Sequence, residues 1–178
     1  MPKVPDPNGQ PLGDDLLKVL TDKSRSKIQN PNEEKIFNQW LDNATPDGSD
    51  IWETKPGEYP PETRKDDYTI VFKEVALHTQ KRIDGVVRWP RGSARWPGKE
   101  IHCFELIEVK NTDGKVPEEP IGELLMESET FKSEFSVSPW EVEVTILQNE
   151  VDWESKQDFQ KMCDARDIEI SLEVAPSD

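Results

Sequence analysis

The sequence predicts an α/β protein: one mixed sheet covered by helices, in the element order α-α-β-β-β-α-β-α-β. Three observations carry this. Residues 68–110 hold three β-branched, aromatic-bearing runs in succession, separated by turn-forming residues. Two further β-type runs follow, each preceded by a helix-like stretch, and that alternation is how layered α/β folds are built. A chain of 178 residues suffices for one domain with its own core, placed here at 14–174 between tails at 1–13 and 175–178.

In chain order, residues 1–13 carry four prolines and two glycines and are expected to be disordered or loosely attached. DDLLKVLTDKSRSKI at 14–28 reads as a helix, with acids in its first turn and bases toward its end, as the helix dipole favours. A second helix is better signalled. Asn30 is a cap, Pro31 suits the first position, Glu33 stands three after the cap, and Ile36, Phe37, Trp40 and Leu41 share a face. Residues 43–67, rich in Pro, Gly, Asp and Glu around Trp52 and Tyr59, read as a long loop.

The three strands at 68–77, 82–89 and 101–110 have connections short enough to favour an antiparallel meander. After the NTDGK turn, Ile121, Leu124, Leu125, Phe131 and Phe135 fit one face of a helix ending near 135. A strand at 140–147, a helix at 153–166 and a strand at 167–174 complete the order.

Several function classes fall away at once. No window is apolar for the length of a membrane span and the first residues hold no signal-peptide core, so a soluble, cytoplasmic protein is expected. Cys103 and Cys163 have no metal-ligand spacing and read as small buried hydrophobes in a reducing compartment. His78 and His102 are too few for a zinc site. There is no internal repeat, phosphate-binding glycine loop, Gly-x-Ser-x-Gly elbow or His-Glu-x-x-His.

A net charge of -15 argues against a polyanionic partner, but the charge is uneven. Between His78 and Lys99 six basic residues face Asp84 alone. The segment RWPRGSARWPGK interleaves Trp89 and Trp96 with Arg88, Arg91, Arg95 and Lys99, and Arg82 lies just upstream. Arginines beside aromatics suit phosphate contact with base stacking, so these seven residues are candidates for binding nucleic acid. The competing reading is a hairpin tip whose tryptophans fold back on the sheet.

The candidate chemistry lies on the strands flanking that segment. Side chains two apart on a strand share a face, so Glu108 and Lys110 point the same way and Val109 points away. Acid-x-lysine triplets occur five times in this charged chain, but the other four lie in polar, helical or loop sequence. The one at 108–110 ends a near-continuous apolar run containing Ile101, Cys103, Phe104, Leu106, Ile107 and Val109. Charges ending a buried strand require partners, a metal or an open cleft.

With Asp84 on the second strand of the meander and Glu108-Val109-Lys110 on the third, the chain resembles the PD-(D/E)xK superfamily of restriction-endonuclease-like nucleases. The likeness spans residues 30–173 in element order, and Ile83 stands where the family name has proline. The resemblance implies a restriction-endonuclease-like fold and a metal-dependent nuclease acting on DNA or RNA. Asp84, Glu108 and the Val109 carbonyl would bind Mg²⁺ or Mn²⁺, and Lys110 would hold or help deprotonate the attacking water. Many members add an acid from the preceding helix. Glu33 reads as a capping-box residue, which leaves Glu34 as the candidate. Glu123 and Glu127 read as a solvated helix face and stay outside the site. A homodimer, or a protein partner on the acidic surface, is compatible with the sequence. So are two other functions, an inactive nuclease-fold scaffold or recognition subunit and an acidic inhibitor domain.

Overall fold

The computed structural model describes residues 14–45, 50–60, 67–98 and 100–176. The tail expected at 1–13 lies outside them. Among the described residues, helices α1 (Asp14–Asp22) and α2 (Pro31–Ala44) precede strands β1 (Ile51–Glu53), β2 (Thr69–Ala76), β3 (Arg82–Trp89) and β4 (Cys103–Lys110). Then come α3 (Glu119–Glu134), a 3₁₀ turn at Pro139–Glu141, β5 (Val142–Gln148), α4 (Trp153–Arg166) and β6 (Ser171–Val174). The six strands form one mixed sheet in sequence order, with β2-β3-β4 antiparallel and the β1–β2, β4–β5 and β5–β6 pairs parallel. α3 and α4 are the crossovers that parallel neighbours require.

Helix α2 starts as its sequence dictates: the Asn30 side chain accepts from the Asn32 and Glu33 N–H groups, and Pro31 occupies the first turn, where its missing N–H costs nothing. Its apolar stripe Ile36, Phe37, Trp40 and Leu41 packs on Val71, Val87, Ile107 and Val109 on one face of the sheet. The opposite face of β2–β4 is covered by α1 through Leu17 and Leu20 and by α3 through Phe131 and Phe135, which meet Phe72, Val86, Phe104 and Leu106. On that same side α3 and α4 close over β5, with Leu124, Phe159 and Cys163 against Val144 and Ile146. Both cysteines are buried thiols.

Three expectations change. The first helix stops at Asp22 rather than Ile28, because the Ser24 hydroxyl donates to the Leu20 carbonyl and the Arg25 N–H donates to Lys73 O, turning the chain onto β2. The loop expected at 43–67 contains β1, a strand too short to show an alternating pattern, which pairs with β2 at Trp52–Ile70. Trp52 packs edge-on against Tyr68. The tail expected at 175–178 is docked at its start: Ala175 is buried and its N–H donates to Gln148 O.

Gly85 fixes how closely α2 approaches. A Cβ there would stand 2.5 Å from Phe37 Cε2, so any side chain at this position must displace a fully buried ring. Gly85→Ala is expected to cost about 1–3 kcal/mol of stability, as overpacking does. The midpoint of urea unfolding measures it, and an unchanged midpoint would mean the ring has room to move.

Candidate active site

Asp84 near the start of β3 and Glu108 near the end of β4 meet because the strands are antiparallel. The ladder pairs Gly85 with Ile107, and one step further places Asp84 opposite Glu108, with both side chains on one face. The ladder itself stops there. The Val109 N–H instead donates to Asp84 Oδ2 at 2.8 Å. The carbonyl of the same residue points to the same side of an extended chain and faces the same gap.

The chain is also distorted on the other side of Asp84. Glu74, opposite it on β2, has φ +49 in mid-strand, the left-handed region a β-strand does not use. Its carboxylate is held by the Arg25 guanidinium and the Gln29 N–H.

Lys110 lies 3.3 Å from Glu108, on the same face two residues on. The Glu108 side chain is 13% exposed and that of Lys110 is 32% exposed, so the cluster opens to solvent. Burial is the main force raising the Glu108 pKa, followed by the charges of Asp84 and Glu127, and it reaches about 8. Asp84 is also raised, first by burial, against the opposing effects of the Val109 N–H, Lys110 and a hydrogen bond shared with Glu108. The charge of Asp84 thus makes Glu108 the harder of the two to ionise. Burial by itself would depress the Lys110 ammonium, but Glu108, then Asp84 and Glu33, outweigh it and raise its pKa.

Glu34, the expected helix acid, is not part of this cluster. Its carboxylate accepts from the Ile28 N–H (2.7 Å), Lys73 Nζ (2.7 Å) and Asn38 Nδ2 (3.2 Å). Burial would raise its pKa, and those donors lower it overall. Its place on the stripe of Phe37 and Leu41 turns it to the sheet, where it serves the buried Lys73. Glu33, one position round the helix, is the residue that senses Asp84 and Lys110, its pKa raised by burial and then by Asp84. The capping-box bond from Glu33 back to the Asn30 N–H does not occur among the described residues.

Glu127 was also misread as solvated. It is buried, and its pKa is raised to about 7 by burial, then by Asp84 and Glu123. The sequence did carry a signal: Glu127 lies three after Leu124 and four before Phe131, on the apolar stripe of α3. Glu74 left no such signal, because its distortion is a property of the assembled sheet.

The expected nucleic-acid strip is largely structural. A loop joining two antiparallel strands leaves from the end opposite their free termini, so Trp89 is five residues, about 17 Å, from Asp84. Trp89 is buried and its Nε1 donates to Glu105. Arg88 is buried, and Arg82 donates to the backbone carbonyl of Glu74. Arg95 lies over Trp40 and Trp96, with its guanidinium on Glu105 and Glu173. Trp96 packs on the α2 core. Arg91 is exposed, at the far end from the acids, and Lys99 lies outside the described residues.

A cleft of about 510 Å³ opens on the α2 side of the sheet, and Asp84, Glu108 and Lys110 do not line it. Asn111, Asn149 and Glu150 line it just past the carboxyl ends of β4 and β5, and Asn32, Lys35 and Gln39 line it from α2. This is where open α/β sheets place ligands. Among the described residues no three His, Cys, Asp or Glu side chains are close enough to enclose a metal ion by themselves, and no helix is long and apolar enough to cross a membrane.

No protein-family model matches the chain, and no curated protein matches it. A solved EndoMS-dsDNA2 complex is similar over 60% of this chain and 36% of that chain, at 13% identity and a TM-score of 0.38.

Proposed function

We propose that the protein is a metal-dependent phosphodiesterase acting on DNA or RNA, on a restriction-endonuclease-like fold. One observation carries the reading: Asp84 and Glu108 face each other at the splayed end of β3 and β4, both with raised pKa values, and Lys110 stands 3.3 Å from Glu108 in a cluster open to solvent. Two half-enclosed carboxyls whose ionisation is opposed by burial and by neighbouring acids mark a place where positive charge is stabilised. Two carboxylates and the Val109 carbonyl are a donor set that fits Mg²⁺ or Mn²⁺, since Mg²⁺ is commonly held by one or two carboxylates with water and substrate phosphate filling the shell.

Bound there, the cation would supply a water of lowered pKa and offset charge on the phosphate. The chain's own parts are then distinct. Asp84 and Glu108 would hold the cation, and the Val109 N–H fixes the Asp84 carboxylate in the gap. Lys110, kept charged by Glu108, donates to the attacking water or to the phosphate oxygens. Glu33 on α2 feels the charges of Asp84 and Lys110 and would add negative potential to the site. Substrate would approach from the solvent-open side of the cluster at Lys110, not along the arginine and tryptophan loop.

The test is cleavage of single-stranded, double-stranded and branched DNA and RNA in Mg²⁺ and in Mn²⁺. Metal-dependent cleavage of at least one substrate is expected. A protein that binds Mn²⁺ yet cuts nothing would replace the nuclease with a scaffold on the same fold.

The carboxylate pKa values also fix a pH dependence. Glu108 and Glu127 are pushed up to about 8 and about 7 in the fold, above the ordinary carboxylate value of 4.5. Their protonated forms therefore contribute stability that is complete below about pH 4.5 and is lost as pH rises through 7 to 8. The metal-free protein is expected to melt at progressively lower temperature from pH 5 to 8.5. Mn²⁺ should restore the melting temperature most strongly at the high end, with proton release on binding at pH 7. Calorimetry in two buffers of different ionisation enthalpy reads that release, and binding without it would contradict the raised pKa of Glu108.

A further inference from the structure

We propose that Glu127 is the third carboxylate of this centre, holding water bound to the cation rather than the cation itself; this rests on the metal-dependent reading above. Glu127 stands where α3 otherwise carries apolar residues and is only 8% exposed. Its Oε2 is buried with no hydrogen-bond partner. An acid in that condition costs free energy unless something not made of protein satisfies it.

The charges around Glu127 say what that ligand is. Asp84 and Glu108 act on it from the sheet and Glu123 from its own helix, against Lys81 and Lys110. A site where three acids act on one another through their charges attracts a cation or its hydration shell, not an anion. The three do not close around a single ion. Mg²⁺ keeps several of its waters when bound, so a carboxylate set back from the ion is placed to accept their hydrogen bonds. Outer carboxylates of this kind orient a metal site without touching the metal. Glu127 is therefore a positioning residue, distinct from Asp84 and Glu108.

The experiment is Mn²⁺ titration of the full chain by calorimetry and by electron paramagnetic resonance of free Mn²⁺, comparing wild type with Glu127→Gln and Glu123→Gln. Glu127→Gln keeps the volume and removes the charge, and it should weaken Mn²⁺ binding roughly 10-fold or more. Glu123→Gln, on the exposed side of the same helix, should stay within about twofold if contact with the hydration shell is what matters. Equal affinity in Glu127→Gln and wild type overturns the proposal, as does equal weakening by both variants, which would be a general charge effect. If Glu127→Gln does not fold, Glu127→Asp keeps the charge but withdraws it by one methylene. It should bind Mn²⁺ several-fold more weakly, and unchanged affinity there also overturns the proposal. Wild type that binds no Mn²⁺ removes the metal-dependent reading itself, an outcome separate from a failure confined to Glu127.

Discussion

Glu108→Ala and Asp84→Asn are each expected to lower metal-dependent cleavage by about 10³-fold or more. A metal held by these carboxylates supplies several kcal/mol of transition-state stabilisation, and each 1.36 kcal/mol is tenfold in rate. Lys110→Ala should fall in the same range with little loss of Mn²⁺ binding, because its ammonium acts on water and phosphate and not on the cation. The stability of the metal-free variants should move the opposite way. Removing either acid relieves the burial and repulsion that raise both pKa values, so Asp84→Asn and Glu108→Ala should melt no lower than wild type at pH 8. Cleavage rates at equal folded concentration, read beside melting curves, check both halves. Lost activity with lost folding would place these acids in the scaffold instead of the chemistry.

Arg95→Ala is expected to be the most damaging substitution away from the site, costing about 3–5 kcal/mol, the range for breaking a buried ion pair and leaving one charge behind. Glu105 is fully buried. Arg95 grips it with two parallel bonds, Nε to Oε1 at 3.1 Å and Nη2 to Oε2 at 2.7 Å. Trp89 Nε1 and the Thr145 hydroxyl complete its partners at 2.9 and 2.6 Å. The same guanidinium reaches Glu173 on β6, which also accepts from Trp40 Nε1, so one side chain ties the β3–β4 loop to β4, β6 and α2. Arg95→Lys cannot reproduce the fork and should also destabilise. Urea unfolding measures the loss. Mn²⁺ affinity of the folded protein should be unchanged, and a loss of cleavage without a loss of stability would return Arg95 to the substrate surface.

Much of this was legible in the residues themselves. Asn30-Pro31 with a stripe at Ile36, Phe37, Trp40 and Leu41 specifies a helix start and its buried face, because capping and periodicity are local. The apolar run that ends in Glu108-Val109-Lys110 identifies the unusual acid-x-lysine triplet, because alternation along a strand is local as well. Asp84 belongs with that triplet once β3 and β4 are read as neighbours in a meander.

What needed the tertiary structure was direction and depth. Arginines adjacent to Asp84 in sequence are carried to the far end of β3 by the strand's own length, where Trp89, Arg95 and Trp96 seal the α2 face. Glu33 and Glu34 differ by a 100° step round the helix, and only the packing of α2 on β2 decides that Lys73 takes the second and the acid cluster faces the first. The left-handed Glu74 and the orphaned oxygen of Glu127 exist only once sheet and helix are assembled. Local pattern fixes which elements form and which way their faces turn, whereas long-range packing decides which charges meet, because that depends on the distances between elements that sequence spacing does not encode.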